Sequence, residues 1–349
     1  MRLAPARPVF HRLRIAELAE AGEDAVALTF EVPDDLAPDY AFAPGQHVAI
    51  RLPGEEVRRS YSVCGAPGTP LRIGVKRLPG GAFSDVALRD LVVGDELDVL
   101  TPTGRFGAAL GDLRRPCFVA AGSGITPVLS MLAAALADPG VELVTLLDCN
   151  ATQRSVMFLE EIAALKDRWP ERFHVVHLLT REVQESELLS GRLDPERLAR
   201  IRAEVVGEVD GWFLCGPQPM VASLRAALED SGVDPGTVHT ELFHADAPPV
   251  PPAVPEGAVG AEVEVTLAGL GSTFVLAPGE VVLDGLLRLR ADAPYACQGG
   301  VCGTCRARLV TGEVTMAATW ALEPEELARG DVLTCQARAT SDRLVLDFD

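Results

Sequence analysis

The sequence predicts a multidomain fold: an antiparallel β-barrel, an α/β domain on a parallel sheet, and a small cysteine-bearing domain behind a proline-rich linker. Three observations carry this prediction. Short apolar or alternating runs separated by turn residues give way, near residue 110, to a strand–helix–strand rhythm. The stretch Ala245–Gly260, ADAPPVPPAVPEGAVG, carries five prolines and no core-forming periodicity, which suits an extended linker. Of the eight cysteines in 349 residues, Cys297, Cys302, Cys305 and Cys335 fall in the last fifth of the chain.

In the first domain, residues 1–110, the runs Ala25–Val32, His47–Leu52, Leu71–Lys76 and Glu96–Leu100 read as strands closed by Pro-Gly, Pro-Asp and Gly-Gly turns. Many short strands at that spacing suggest a barrel. In the second, residues 111–244, Cys117–Ala121 reads as a buried strand and Thr126–Ala137 as a helix. Glu142–Asp148 and His174–Leu179 follow as strands around a helix over Val156–Arg168, and strand Gly211–Cys215 precedes a helix over Pro219–Glu229. Alternation of this kind implies parallel strands with helices on the sheet faces. Residues 245–260 form the linker and 261–349 the third domain.

Composition narrows the function. Lys and Arg number 31 against 50 Asp and Glu, a formal net charge of −19. Such a chain is not expected to bind nucleic acid, which requires positive charge to displace phosphate counterions, nor to adsorb to anionic membranes. The N-terminus lacks a continuous apolar signal region, and no apolar run approaches the roughly 20 residues that cross a bilayer. A cytoplasmic protein with reduced thiols is expected.

The segment Cys297-Gln-Gly-Gly-Val-Cys302-Gly-Thr-Cys305 has the spacing Cys-x4-Cys-x2-Cys, and Cys335 follows. This is the plant-type [2Fe–2S] spacing. Gly299, Gly300 and Gly303 permit the tight bends that aim backbone N–H groups at sulfur. A zinc site is the competing reading, but it more naturally uses two Cys-x2-Cys pairs or histidines, and this segment has no histidine. Cys64, Cys117 and Cys149 have no ligand-like spacing and read as small buried hydrophobes.

Arg59-Ser60-Tyr61-Ser62 offers a guanidinium fork for a pyrophosphate, a ring to stack on an isoalloxazine and a hydroxyl for its N5 edge; an exposed edge strand is the plainer reading. Gly80-Gly81-Ala82-Phe83-Ser84 places amides and a hydroxyl at a helix start suited to a pyrophosphate. Gly122-Ser123-Gly124-Ile125-Thr126-Pro127 follows a buried strand and opens a helix, where glycines let a dinucleotide approach the backbone. Phe213-Leu214-Cys215-Gly216-Pro217 repeats that arrangement at another strand end.

In this order the motifs resemble those of the ferredoxin–NADP⁺ reductase superfamily, in the form fused to a C-terminal plant-type ferredoxin domain. Within it, PGQHVAI at Pro44–Ile50, LLSGRLD at Leu188–Asp194 and the cysteine segment are most similar to the reductase components of phenylacetyl-CoA epoxidases; 3-ketosteroid 9α-hydroxylase reductases are close competitors. The resemblance implies an FAD-binding barrel, an NAD(P)H-binding sheet and a β-grasp [2Fe–2S] domain. It implies that Arg59, Ser60, Tyr61 and Ser62 bind FAD, that Val75 and Lys76 line the flavin, and that Gly81, Ala82, Phe83 and Ser84 contact its pyrophosphate. Gly122, Gly124, Thr126 and Pro127 would hold the nucleotide, with Cys215, Gly216 and Pro217 along the hydride path and Glu241 at the flavin edge. Ser62, Cys215 and Glu241 form the implied catalytic set, and Cys297, Cys302, Cys305 and Cys335 the iron ligands. Thr180-Arg181 stands where NADPH-using relatives carry Ser-Arg, so NADPH is expected, with NADH the alternative. Asp148 departs from the family's usual tyrosine and, facing the ribose, would favour NADH.

The function expected is electron transfer from NADPH through FAD and the cluster to an oxygenase component, a di-iron phenylacetyl-CoA epoxidase first and a Rieske-type steroid hydroxylase second. A redox-sensing or scaffolding role without turnover is the reading from another class.

Overall fold

A computed structural model describes residues 9–55, 57–81, 83–243, 260–322 and 324–348. The linker expected at 245–260, apart from Gly260, lies outside the described residues, as does Ala82. The chain divides into two compact units: residues 10–57 with 61–243, and residues 260–348, with which Arg58–Ser60 is grouped.

The first unit begins with β1 (Phe10–Glu20), β2 (Ala25–Glu31), β3 (His47–Arg51), β4 (Arg59–Ser62), β5 (Arg72–Lys76), a short α1 (Ser84–Arg89) and β6 (Glu96–Leu100). They form a six-stranded sheet in the order β4-β3-β6-β1-β2-β5. The β1–β2, β1–β6, β2–β5 and β3–β6 pairs are antiparallel. A bridge from Val63 to Ile73 joins the run after β4 to β5, so the sheet closes on itself as a barrel. Leu13, Ile15, Leu28, Ile50, Ile73, Val75 and Leu97 fill its interior.

The chain continues as β7 (Pro116–Ala121), α2 (Ile125–Ala137), β8 (Val144–Asn150), α3 (Leu159–Arg168), β9 (Phe173–Leu179), α4 (Pro195–Ile201), β10 (Gly211–Pro217), α5 (Gln218–Asp230) and β11 (Val238–Phe243). The five strands are parallel in the order β11-β10-β7-β8-β9. Both faces are covered, so β8 is buried at every position instead of alternating. Helix α3 starts three residues later than the sequence suggests. Gln153–Ser155 forms its own 3₁₀ turn capped by Thr152, and Phe158 takes a left-handed conformation that α3 cannot include. One apolar cluster runs from Ala25, Ala27 and Phe106 of the barrel region into Phe118, Leu146 and Phe213 of the parallel sheet. The two domains of this unit thus share a core.

The second unit contains β12 (Ala261–Leu267), β13 (Leu270–Leu276), α6 (Val282–Leu287), β14 (Arg306–Thr311), β15 (Val314–Met316), α7 (Pro324–Ala328), β16 (Asp331–Leu333), β17 (Ala337–Ala339) and β18 (Arg343–Asp347). A mixed sheet runs β13-β12-β18-β14-β16, with β12 and β18 parallel, beside a β15–β17 pair. In β12, Ala261, Val263, Val265 and Leu267 are buried while Glu262 and Glu264 are exposed, the period-two pattern of a sheet with one wet face. Packed by α6, this is the expected β-grasp domain. Among the described residues no helix is long and apolar enough to cross a membrane.

Candidate functional site

The parallel sheet aligns residues far apart in sequence. Glu241 of β11 is in register with Cys215 of β10, Cys215 with Ala120 of β7, Ala120 with Asp148 of β8, and Asp148 with His177 of β9. In-register neighbours share a sheet face, so these five positions form one row near the carboxyl ends of the strands. Cys215 is fully buried, and burial together with the negative charge of Glu241 pushes its thiol well above the ordinary value. It stays a neutral thiol.

Two glycines shape the loop above this row. Gly122 takes φ +56°, and its missing side chain leaves space that extends to Lys76 Nζ, 4.0 Å from where a Cβ would stand. A Cβ on Gly124 would lie 2.3 Å from the carbonyl oxygen of Cys215, so only glycine lets the loop rest on the end of β10. Pro127 falls in the first turn of α2, where its missing N–H costs no helical bond. Thr126 is buried with its hydroxyl donating to the Ser123 carbonyl at 2.9 Å. Its methyl would meet a Cβ on Gly74 at 2.7 Å, which places Thr126 against β5 beside Val75 and Lys76.

On the barrel side, Ser62 is buried and its hydroxyl donates to Glu241 Oε2 at 3.3 Å. His47 Nδ1 stands 4.0 Å from the other carboxylate oxygen. The ring of Tyr61 lies 5.2 Å from that of Phe83 at a 47° tilt. Ser60 Oγ is buried with no hydrogen-bond partner, an orphaned hydroxyl that an added polar ligand would satisfy. Arg59 is exposed, and its guanidinium donates to its neighbour's carbonyl, Arg58 O, at 2.9 Å. Lys76 donates to the Ser155 carbonyl at 3.0 Å; burial lowers its pKa, opposed by Asp148. Ser84 differs from the sequence expectation in one respect. Its hydroxyl accepts from Leu78 N at 3.0 Å and donates to Leu78 O at 3.2 Å, so it closes the 78–84 loop, in which Gly81 N also donates to Leu78 O at 2.8 Å and Gly80 N to Asp85 Oδ2 at 3.0 Å.

At the far end of the row, Asp148 is fully buried, with Oδ2 at 3.1 Å from His177 Nδ1. Its carboxylate is turned into the protein beside His177. Thr180 and Arg181 are exposed past β9, held by backbone bonds to the carbonyls of Asn150 (2.9 Å) and Ala151 (2.8 Å). Gly216 is buried and Pro217 exposed at the end of β10.

In the second unit, the thiol of Cys297 meets that of Cys302, and Cys305 meets Cys335. No three His, Cys, Asp or Glu side chains among the described residues converge on one metal ion. Cysteines arranged as two pairs suit a two-iron cluster with two cysteines per iron and do not suit one tetrahedral zinc. Gly299 N donates to Cys297 Sγ at 3.3 Å, and Gly300 and Gly303 take φ of +76° and +67° in the wrapping loop. Gln336, which no sequence motif marks, ties the loop together: its Nε2 donates to Gln298 O at 2.9 Å and approaches Cys335 Sγ at 3.5 Å. His47, His177 and Gln336 escape sequence reasoning because lone polar residues in and beside strands carry no spacing signal. The three sites fit FAD, a nicotinamide nucleotide and a [2Fe–2S] cluster.

Comparisons with known proteins agree. Residues 12–107 match the oxidoreductase FAD-binding domain family, residues 118–226 the oxidoreductase NAD-binding domain family, and residues 265–340 the 2Fe-2S iron-sulfur cluster binding domain family. The chain is 39% identical to a component of the 1,2-phenylacetyl-CoA epoxidase of Escherichia coli K12, covering 97% of this chain and 98% of that protein. It is 34% identical to the ferredoxin reductase component of 3-ketosteroid-9-alpha-monooxygenase of Rhodococcus rhodochrous, over 96% of each. Phthalate dioxygenase reductase shares the fold with a TM-score of 0.62 at 24% identity, covering 97% of this chain and 98% of that one. The chain belongs to the ferredoxin–NADP⁺ reductase superfamily, in the branch of flavin and [2Fe–2S] electron-transfer reductases that serve multicomponent oxygenases.

Proposed function

We propose that this protein carries electrons from NADPH to the di-iron component of a phenylacetyl-CoA epoxidase in the cytoplasm. The observation that carries the acceptor is the 39% identity with the Escherichia coli epoxidase component over nearly the whole of both chains. Supporting NADPH, Arg181 is exposed at the end of β9, where a guanidinium fork suits a 2′-phosphate, and the buried Asp148 is engaged by His177. We place the domain limits at 1–110, 111–244, 245–260 and 261–349.

When bound, FAD accepts a hydride and gives up electrons singly, and the cluster takes them up one at a time. The chain's task is placement. Tyr61 supplies a ring for the isoalloxazine, Arg59 and Ser60 polar groups for the remainder of the cofactor, and Val75 and Lys76 its lining. Gly81, Phe83 and Ser84 present the loop that receives the pyrophosphate. Gly122, Gly124, Thr126 and Pro127 bring the nucleotide to the carboxyl end of β7, with Gly216 and Pro217 across from them. Cys215, a small neutral thiol, packs on the hydride path, and Ser62 with Glu241 holds the flavin edge. Cys297, Cys302, Cys305 and Cys335 ligate the irons.

Reconstitution with purified oxygenases tests this. NADPH-driven epoxidation of phenylacetyl-CoA is expected with the di-iron component. Turnover only with a Rieske-type steroid hydroxylase would replace that acceptor with the second reading, which rests on 34% identity over the same length.

A further inference from the structure

Hydride exchange depends steeply on how the two rings are placed, yet the groups that place them belong to different domains. Strand β5 carries Val75 and Lys76, read as flavin lining, and the loop after β7 carries Thr126, read as a nucleotide contact. The two sides meet at Gly74, buried within β5. A Cβ there would stand 2.7 Å from Thr126 Cγ2 and 2.8 Å from Phe158 Cζ, so β5 lacks a side chain where these two press on it. Glycine inside a strand weakens it and marks a close approach.

Phe158 is held at this contact against its own preference. It takes φ 59° and ψ 29°, a left-handed conformation unfavourable for a bulky residue, which persists only where the surroundings over-determine it. Here they do. Phe158 N donates to Ala21 O at 3.1 Å and Glu23 N to Arg154 O at 3.0 Å, both at the β1–β2 turn. Lys76 Nζ, at one end of β5, donates to Ser155 O at 3.0 Å. Arg72, at the other end, donates to both carboxylate oxygens of Glu161 at 2.9 and 2.8 Å, and its guanidinium lies 5.1 Å from the centre of the Phe158 ring. The run from Arg154 to Glu161 is thus pinned to the barrel at both ends of β5, with the buried ring of Phe158 between.

We propose that Phe158 is a spacer: its ring, clamped by the Arg72–Glu161 pair and seated on Gly74, fixes how closely Thr126 approaches β5, and thereby how the nicotinamide meets the flavin. The inference rests on the reading of Thr126 as a nucleotide contact and of β5 as flavin lining. Phe158 acts through Thr126 and is a positioning residue.

The test uses full-length holoenzyme. Phe158→Leu keeps the left-handed demand on the backbone and removes the ring, and Gly74→Ala adds the missing methyl. Thermal unfolding without nucleotide reads the contact itself: Gly74→Ala should lower Tm in the wild-type background, and by less in the Phe158→Leu background. Equal losses in the two backgrounds overturn the spacer. The long-wavelength charge-transfer absorbance of reduced flavin with saturating NADP⁺ reads ring overlap. Each single variant is expected to lose roughly half of that band or more, and to slow anaerobic flavin reduction by NADPH about 10- to 100-fold at saturation. Leu136→Ala, in the last turn of α2 and the same core, should lower Tm and keep the band. Loss of the band there too would make it a report of stability and overturn the spacer. A wild-type band and rate in Phe158→Leu, with both altered in Thr126→Ala, also overturn it. Wild-type values in Thr126→Ala as well overturn instead the nucleotide reading on which it rests.

Discussion

Gly124→Ala tests the contact on which the proposed nucleotide placement rests. Gly124 has φ −60°, so alanine is tolerated by the backbone and any effect is steric. The new Cβ would stand 2.3 Å from Cys215 O and 2.7 Å from Cys215 C, both backbone atoms that cannot swing aside. Restoring ordinary contact near 3.4 Å requires the loop and the end of β10 to separate by roughly 1 Å. Overpacking of this kind costs about 1–3 kcal/mol, against a gain of up to about 1 kcal/mol from replacing glycine near a helix start. A net loss of about 1–2 kcal/mol, the middle of that range, should lower Tm by about 2–8 °C. The larger effect falls on rate, because an error of about 1 Å in the position of reacting groups can cost about 100-fold. Anaerobic stopped-flow reduction of the flavin by NADPH reads this directly, while the dithionite-reduced cluster spectrum serves as a control in the other unit. A fall in Tm with a wild-type rate would refute the placement argument. Wild-type values of both would refute the contact itself.

Cys335→Ser should abolish the cluster's visible absorption and reduction of the oxygenase, yet leave NADPH-driven ferricyanide reduction by the flavin; loss of both activities would point to misfolding and calls for comparison by circular dichroism. Arg181→Gln should raise KM for NADPH about tenfold, the size of one charge-assisted hydrogen bond, and leave KM for NADH unchanged, as steady-state kinetics with both nucleotides would show. Burial pushes the thiol of Cys64 up to about 12, and raises those of Cys117, Cys149 and Cys215 as well. Their folded pKa values exceed the unfolded ones, so the stability they contribute is complete below about pH 9 and declines as pH rises toward and through the folded values. At pH 9, alkylation read by mass spectrometry should therefore spare these four cysteines in the native protein and reach them only in denaturant.

The architecture is legible in the sequence where local pattern and tertiary environment agree. The pattern marks both ends of Glu96–Leu100, and the helix expected over Thr126–Ala137 begins one residue earlier, at Ile125. Both have turn residues at their borders and apolar content that their surroundings bury. Strand β1 is not legible: Phe10–Glu20 is interrupted by a bulge between Ile15 and Glu17, which breaks its alternation. Helix α4, Pro195–Ile201, is only seven residues long and passes into a π-turn, leaving little periodicity to detect. In the site, glycines and cysteines are legible because their spacing is itself the signal. Asp148 is legible as a departure, but its direction is not. Register with His177, twenty-nine residues on, decides where the carboxylate goes, and register belongs to the sheet as a whole.

The same register explains how positions as far apart in the chain as Ala120 and Glu241 come to lie in one row. A parallel sheet brings every strand's carboxyl end to one edge, and matching register then sets Glu241, Cys215, Ala120, Asp148 and His177 side by side. The row has chemistry at both ends and small, uncharged side chains, Cys215 and Ala120, in the middle. Bulk or charge at the middle positions would collide with, or repel, whatever lies over the loop that Gly122 and Gly124 form. Asp148 is tolerable at its end because His177 meets its carboxylate at 3.1 Å, and Glu241 at the other because Ser62 donates to it. Each acidic group therefore has a partner on a neighbouring strand or domain, while the second oxygen of Asp148, Oδ1, is buried without one. The acidic groups that make the row unusual also tie β8 to the edge strand β9 at one end and β11 to the barrel at the other.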